Sequence, residues 1–475
     1  MSLKSQVLSG LKWSAISKLI AQLFSWVSTF LVIRVLTPED YGLMAIVSVF
    51  FTFITIFTVN GFVTSLVQSQ KLEKDVCNQI FTLSLSLYIF ISIVISYFAS
   101  NIASFYGNEQ IENVIYAMAL ITPLNSFCII PNAYLNIEMN FKAKAICESI
   151  AAFCSAIVAL SFAYSGSGYW ALFYALVTEL AIRTILLNIT NSYSYGFDAR
   201  LNALKNILSF SFKIQLNQLI WFSYNKLDTL IVGKYLGIQQ LGIYNVGVEI
   251  ASLPMTKASA LLNQVGLSAF SKVNTDFHAC RYYLERAIKL LSLIIFPVFV
   301  GISSIAEELV LVFIGSKWVE SGAIVAIFSL IFPFRMINSV IHNFLIAINQ
   351  PTLAVQNTFI ICFSVIVAIL VGVQYGIFYT AIAWMTGFCL AFLVIIIRTK
   401  KHSQVKFSTL FCWFSPLIVS LLMWLLVWMT EILLSNKDIS IIYMLCIKIL
   451  VGSLFIVIAY SLLYRNDIKN LLQKK

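Results

Sequence analysis

Arg34-Val-Leu36-Thr-Pro-Glu-Asp-Tyr-Gly42 closes one apolar run and opens the next. Two hundred residues later Lys234-Tyr-Leu236-Gly-Ile-Gln-Gln-Leu-Gly242 does the same. A basic residue, a leucine and a glycine recur at that single offset: 34 with 234, 36 with 236, 42 with 242. Six apolar runs separate the two blocks. Six is an even number, so both blocks enter a membrane from the same side, and the repeat is parallel, about an axis along the membrane normal.

The solvent of these runs is lipid. Of 475 residues, 60% are hydrophobic and 11% charged, whereas a soluble domain carries about 25% charged residues. A helix needs about twenty mainly apolar residues to cross a bilayer. That rule gives spans at 11–36, 42–67, 79–103, 114–130, 145–164, 169–189, 207–236, 242–270, 288–314, 323–348, 353–375, 377–398, 409–434 and 439–464. The expectation is an all-α polytopic membrane protein of about fourteen transmembrane helices, with two pseudo-symmetric six-helix lobes and two further helices. Residues 1–205 form the N-terminal lobe, 206–405 the C-terminal lobe, and 406–475 the last two helices and a tail. The first run is too long for the apolar core of a signal peptide, so it reads as a retained helix. The connections are too short to fold as a separate catalytic domain.

The net charge of +11 would suggest nucleic acid in a soluble protein. Here its placement reads as topology instead, with no nucleic-acid partner. One set of alternate loops and the termini holds 20 Lys and Arg, among them Lys71, Lys142, Arg200, Arg286, Lys401 and Lys475; the other set holds Arg34, Lys234, Lys317 and Lys437. Cytoplasmic loops carry such an excess, which places both termini in the cytoplasm.

Polar residues inside two spans share a rhythm. Ser14, Lys18, Gln22, Ser25 and Thr29 fall at steps of three or four in the first; Ser211, Gln215, Gln218, Asn225 and Thr229 follow the same rhythm in the seventh, with Phe222 filling one step. Each set lies on one helical face, and Lys18/Gln218, Ser25/Asn225 and Thr29/Thr229 also share the 200-residue offset. Such a stripe facing lipid would be expensive, so it should meet a packed partner or water.

Ionisable residues inside spans are the remaining candidates. Lys18 reads as a site or as a snorkelling side chain. Lys226 and Asp228 share the seventh span on different faces, so they cannot pair locally. Glu249 and Lys257 lie on one face of the eighth span, and Arg335 and His342 on one face of the tenth. Arg335 suits an anionic ligand or an interhelical salt bridge. Glu179 and Arg183, four apart, suit a local ion pair. Trp170, Trp318 and Tyr464 read as interface aromatics. The nine scattered Cys and three separated His suggest no disulfide frame and no metal site. No Walker loop or nucleophile elbow is present in the sequence, so the chain reads as a transporter with no resident cofactor rather than an enzyme.

The segment from Asp228 to Gly237, with Leu241-Gly242-Ile-Tyr244 and Pro254, resembles the polysaccharide exporters of the multidrug/oligosaccharidyl-lipid/polysaccharide superfamily. Arg34–Leu43 is similar to the matching N-terminal signature, and Ala269-Phe-Ser-Lys272 to the end of the eighth helix. One departure is Thr37, where glycine is common; Gly237 keeps it in the second block. The resemblance implies a flippase moving undecaprenyl-diphosphate-linked oligosaccharide across the bacterial inner membrane for O-antigen, capsule or exopolysaccharide assembly, by alternating access. It implies a central cavity between the lobes near the first and seventh helices, and last two helices that hold the lipid tail. Lys18, Lys226, Lys257 and Arg335 would then meet the anionic headgroup. Gln22, Ser25, Thr29, Gln215, Gln218, Asn225 and Thr229 would meet the glycan. Asp228, Glu148 or Glu249 would couple H+ or Na+. Membrane lipid, a polymerase and a chain-length regulator would be partners. A cation-coupled multidrug exporter of the same superfamily and a membrane polysaccharide polymerase are the alternatives.

Overall fold

The computed structural model describes residues 24, 26–56, 61–69, 73–191, 193, 195–200, 205–271, 277–403, 405–434 and 439–464. Among them there is no strand. The helices divide into two compact units, Met1–Gly242 and Ile243–Lys475. The seventh expected span therefore packs within the first unit. The lobe boundary drawn from the repeat, at 205/206, is a different division of the chain.

In the first unit the helices are α1 (Trp26–Val35), α2 (Pro38–Thr55), α3 (Gly61–Ser69), α4 (Lys74–Tyr97), α5 (Ala99–Tyr106), α6 (Gln110–Ile121), α7 (Ser126–Ile137), α8 (Phe141–Tyr164), α9 (Trp170–Thr190) and α10 (Lys205–Leu236). α11 (Ile238–Ser271) begins here. α8 and α9 form a closely packed pair, pinned by the Ser155 hydroxyl donating to the Ala175 carbonyl at 2.8 Å. α10 packs on α2 and α3. A core of Phe62, Leu66, Cys77, Ile80, Phe81 and Ile129 joins α3, α4 and α7.

The entry to α2 shows why Thr37 replaces glycine. Thr37 is an extended N-cap (φ −95°, ψ 160°) in a reciprocal capping box: the Asp40 N–H donates to Thr37 Oγ1, and the Thr37 N–H donates to Asp40 Oδ2 at 2.9 Å. Pro38 occupies the first turn, where its missing N–H leaves no hydrogen bond unmade. At the matching corner Gly237 has φ +85°, a conformation glycine adopts without strain. The two blocks thus turn the same corner by different means, and only the second needs glycine.

The second unit holds α12 (Phe277–Ser304), α13 (Ala306–Phe313), α14 (Val319–Ala347), α15 (Pro351–Gly372), α16 (Ile377–Ser403), α17 (Phe407–Leu410), α18 (Phe414–Leu434) and α19 (Ile441–Leu463). α14 packs on α12 and α16, and α18 joins α12 to α19. Gly387 lets α16 approach α15 closely: a Cβ there would lie 3.0 Å from the Ser364 carbonyl oxygen, and the Ser364 hydroxyl donates to the Gly387 carbonyl. Trp384, Phe388 and Phe392, at steps of four on α16, stack with ring centroids 5.6 and 6.1 Å apart.

Ten helical segments among the described residues are long and apolar enough to cross a membrane. The protein is accordingly an all-helical, multi-pass membrane protein. The difference from fourteen falls on four expected spans. Most of the first lies outside the described residues, as do residues 57–60 of the second, between α2 and α3. α10 and α11, of 32 and 34 residues, are each about 50 Å long by helical rise. They are long enough, but the polar stripe and embedded charges dilute their hydropathy.

Candidate functional site

α10 places the seventh-span residues. Asp228 and Thr229 are buried, 7% and 4% exposed, and the Thr229 N–H donates to Asp228 Oδ1 at 2.7 Å. Gln218, Asn225 and Lys226 are half-buried on the same helix. Two residues separate Lys226 from Asp228, about 200° of helical rotation, and no ion pair joins them. Among the described residues Lys226 makes no hydrogen bond, ion pair or ring contact. An ammonium embedded in an apolar helix without a partner is costly, so such groups mark ligand or ion pathways.

Thr29 of the first-span stripe is half-buried on α1, and its neighbour Ser28 donates its hydroxyl to the Ala156 carbonyl at 3.2 Å. Lys18, Gln22 and Ser25 lie outside the described residues, as do the side chains of Gln215 and Lys257. The stripe pairing is therefore seen only in part. Glu148 is exposed on α8 and Glu249 on α11.

In the second unit Arg335 is half-buried on α14. Its guanidinium carbon lies 5.3 Å from the Phe332 ring centroid and 5.2 Å from that of Trp384. A guanidinium over aromatic faces keeps its charge and its planar donor edge. His342, two turns along α14, is also half-buried.

The Glu179–Arg183 ion pair expected from spacing does not form. Arg183 turns toward the Cys128 thiol, which also contacts the Thr184 hydroxyl at 3.0 Å. Helical spacing permitted the pair, but packing between α7 and α9 directs the guanidinium elsewhere.

Two constellations escaped the sequence reading. Lys448, 2% exposed on α19, donates to Glu308 of α13 and to Glu431 of α18, the latter at 2.9 Å. A lysine midway along an otherwise apolar run was the available signal. The second is a strap formed by Tyr193 and residues 195–200, lying on the ends of α4, α7 and α9. Tyr193 donates to the Asn78 side-chain oxygen at 3.0 Å, and Tyr195 to the Phe127 carbonyl at 3.0 Å. Gln79 donates to Asp198, whose own N–H donates to the Thr82 hydroxyl. Hydrogen bonds from the Arg200 guanidinium hold the Asp198 carboxyl well below the usual carboxylate range, helped by the donated bond from Gln79. Burial, then the neighbouring Cys77, pushes the Tyr193 hydroxyl up to about 12.

No group of three or more metal-ligating side chains occurs among the described residues. Lys226 and Arg335 are of a type suited to binding an anion by charge and hydrogen bonding, and Gln218, Asn225 and Thr229 to binding hydroxyl groups.

The chain is similar to known proteins. The chain is 25% identical over 371 residues to an uncharacterized membrane protein in the cps region of Klebsiella pneumoniae, covering 76% of this chain and 75% of that one. It is 22% identical over 414 residues to the lipopolysaccharide biosynthesis protein WzxC of Escherichia coli (strain K12), covering 84% and 80%. The fold is similar to that of the lipid II flippase MurJ in an inward closed conformation, with a TM-score of 0.73, 17% identity, and 96% and 99% of the two chains covered. Residues 31–323 match the sequence pattern of the family described as polysaccharide biosynthesis protein, and the chain belongs to that family.

Proposed function

We propose that the chain is a flippase that moves an undecaprenyl-diphosphate-linked oligosaccharide from the cytoplasmic to the outer leaflet of a bacterial inner membrane. The observation that carries this reading is Lys226, a half-buried ammonium within a long helix and without an ion pair among the described residues. A diphosphate supplies the missing counter-charge, and Arg335 offers a second anion contact with bidentate geometry. Family membership and the likeness to a lipid II flippase support a lipid-linked cargo. A drug exporter for organic cations would be better served by carboxylates at these positions.

The proposed path is alternating access across fourteen helices in two lobes, with both termini cytoplasmic. Asp228, Glu148 and Glu249 are the candidates for H+ or Na+ coupling. A polymerase and a chain-length regulator would act on the delivered units.

The reading is tested in a strain lacking this chain and carrying Lys226→Ala or Arg335→Ala variants expressed at wild-type levels. Loss of full-length surface polysaccharide, with lipid-linked single repeat units held on the cytoplasmic leaflet, is expected. Unchanged surface polysaccharide in both variants overturns the residue assignment. Normal polysaccharide in the deletion strain overturns the function.

A further inference from the structure

At one end of the second unit three elements bring their cations together. Arg281, Arg286 and Lys289 lie in the first half of α12, Lys400 and Lys401 in the last turn of α16, and Lys406 at the start of α17. Side-chain bonds draw these elements into one surface. The Arg281 guanidinium donates to the Ser403 carbonyl at 3.4 Å, and the Thr409 hydroxyl donates to the Glu285 carboxylate at 2.8 Å. The Lys400 ammonium lies 3.9 Å from the Phe407 ring centroid, and the Arg286 guanidinium donates to the Tyr282 hydroxyl at 3.4 Å. Each of these two contacts sets a cation beside an exposed ring: Tyr282 is 59% exposed and Phe407 42%.

Charge and exposure together identify the occupant. The sequences of α12, α16 and α17 contain one carboxylate, Glu285. Lys400, Lys401 and Lys406 are exposed and form no ion pair among the described residues. The apolar spans of α12 and α16 end here, at Cys280 and Ser403, so the cations nearest those ends stand at the depth of the headgroup layer. A soluble polyanion would neutralise the cations and leave the rings in water. A zwitterionic headgroup would bring its own ammonium against the cluster. An anionic phospholipid meets both halves of the surface, its phosphate the cations and its glycerol and upper acyl chains the rings.

We propose that this surface binds the headgroup of an anionic phospholipid, with Arg286, Lys400, Lys401 and Lys406 around the phosphate and Tyr282 and Phe407 beneath it. The lipid is a resident of the surface and not cargo, so the inference stands apart from what the chain transports. Bound there, it bridges α12 and α16 to α17, through which the chain enters α18 and α19.

The test uses the purified full chain, stripped of lipid in detergent, with phosphatidylglycerol and phosphatidylcholine of the same acyl chains. Native mass spectrometry should show phosphatidylglycerol retained under activation that removes phosphatidylcholine, and phosphatidylglycerol should raise the melting temperature more. A phosphatidylglycerol with a photoreactive group beside its phosphate should label α12 near Arg286 and the chain near Lys401 and Lys406. Lys401→Gln and Lys406→Gln should each weaken retention about fivefold, the worth of one cation at a membrane surface. Lys401→Arg keeps the charge and should retain the lipid as the wild type does. Lys142→Gln, on α8 of the first unit, should change nothing. Equal retention of the two lipids, or labelling elsewhere in the chain, overturns the proposal. So does a loss in Lys142→Gln or Lys401→Arg as large as in Lys401→Gln, or unchanged retention in both glutamine variants. Displacement of the lipid by equimolar glycerol phosphate would assign the surface to a soluble anion and overturn the lipid as its occupant.

Discussion

Gly42 and Gly242, two hundred residues apart, face each other at a reciprocal backbone contact. A Cβ built on Gly42 would lie 2.8 Å from the Ile238 carbonyl carbon, and one on Gly242 would lie 2.7 Å from the Pro38 carbonyl carbon. Pro38 and Ile238 are themselves offset by two hundred residues. The contact is thus its own image under the sequence repeat, and it forms where α2 and α11 begin. Gly42→Ala and Gly242→Ala must each force the two helix starts apart. Each should destabilise by at least about 1–3 kcal/mol, as overpacking does, read as a lower melting temperature in detergent. An unchanged melting temperature in both would contradict the contact.

The corners beside that contact make an asymmetric prediction. Gly237→Ala places a Cβ at φ +85° and should lose about 1–2 kcal/mol, although nothing obstructs the Cβ itself. Thr37→Gly removes a cap instead and should lose a few tenths of a kcal/mol, with Thr37→Ala losing about 1 kcal/mol. Denaturant unfolding of the four proteins in detergent orders them.

Lys448 holds two carboxylates, one half-exposed (Glu431, 49%) and one mostly enclosed (Glu308, 15%). Lys448→Ala leaves Glu308 without its counter-charge and should destabilise by about 3–5 kcal/mol. Lys448→Met combined with Glu308→Gln should recover most of that loss. A double variant no more stable than Lys448→Ala would show that the pair does not anchor α19 to α13.

The strap formed by Tyr193 and residues 195–200 has a defined pH response. The folded-state pKa of Asp198 is depressed by Arg200, so its contribution is fully present above the unfolded carboxylate value, about 3.9. It is lost only as pH falls through the lower folded value. Hydrogen exchange of residues 195–200, corrected for intrinsic rates, should therefore be equally slow at pH 7 and pH 5. Asp198→Asn should quicken it at both. Protection that disappears between pH 7 and pH 5 would contradict the Arg200–Asp198 bond.

Much of this was legible in the chain because it is local. The apolar runs, the paired blocks and the Thr37 departure could all be read within a few residues, and the expected charged positions at Lys226, Asp228 and Arg335 are half-buried or buried as embedded groups. What was not legible depends on distant partners. Lys448 meets Glu308 across 140 residues, and Tyr193 meets Asn78 across 115; helical periodicity carries no information about either. Arg183 had a permitted local partner in Glu179 and took a different neighbour on α7. The aromatic seat of Arg335 depends on Trp384 of another helix. The basic surface of the second unit arises only where α12, α16 and α17 meet.

The central claim is movement of a lipid-linked saccharide between leaflets. Its most direct test is the purified chain in proteoliposomes loaded with an undecaprenyl-diphosphate-linked oligosaccharide. The fraction of the sugar open to a membrane-impermeant glycosidase is followed over time. The account predicts that protein-containing vesicles expose inner-leaflet substrate much faster than empty vesicles, and that Lys226→Ala removes most of the difference. Exposure no faster than in empty vesicles, under every imposed H+ or Na+ gradient, would contradict it.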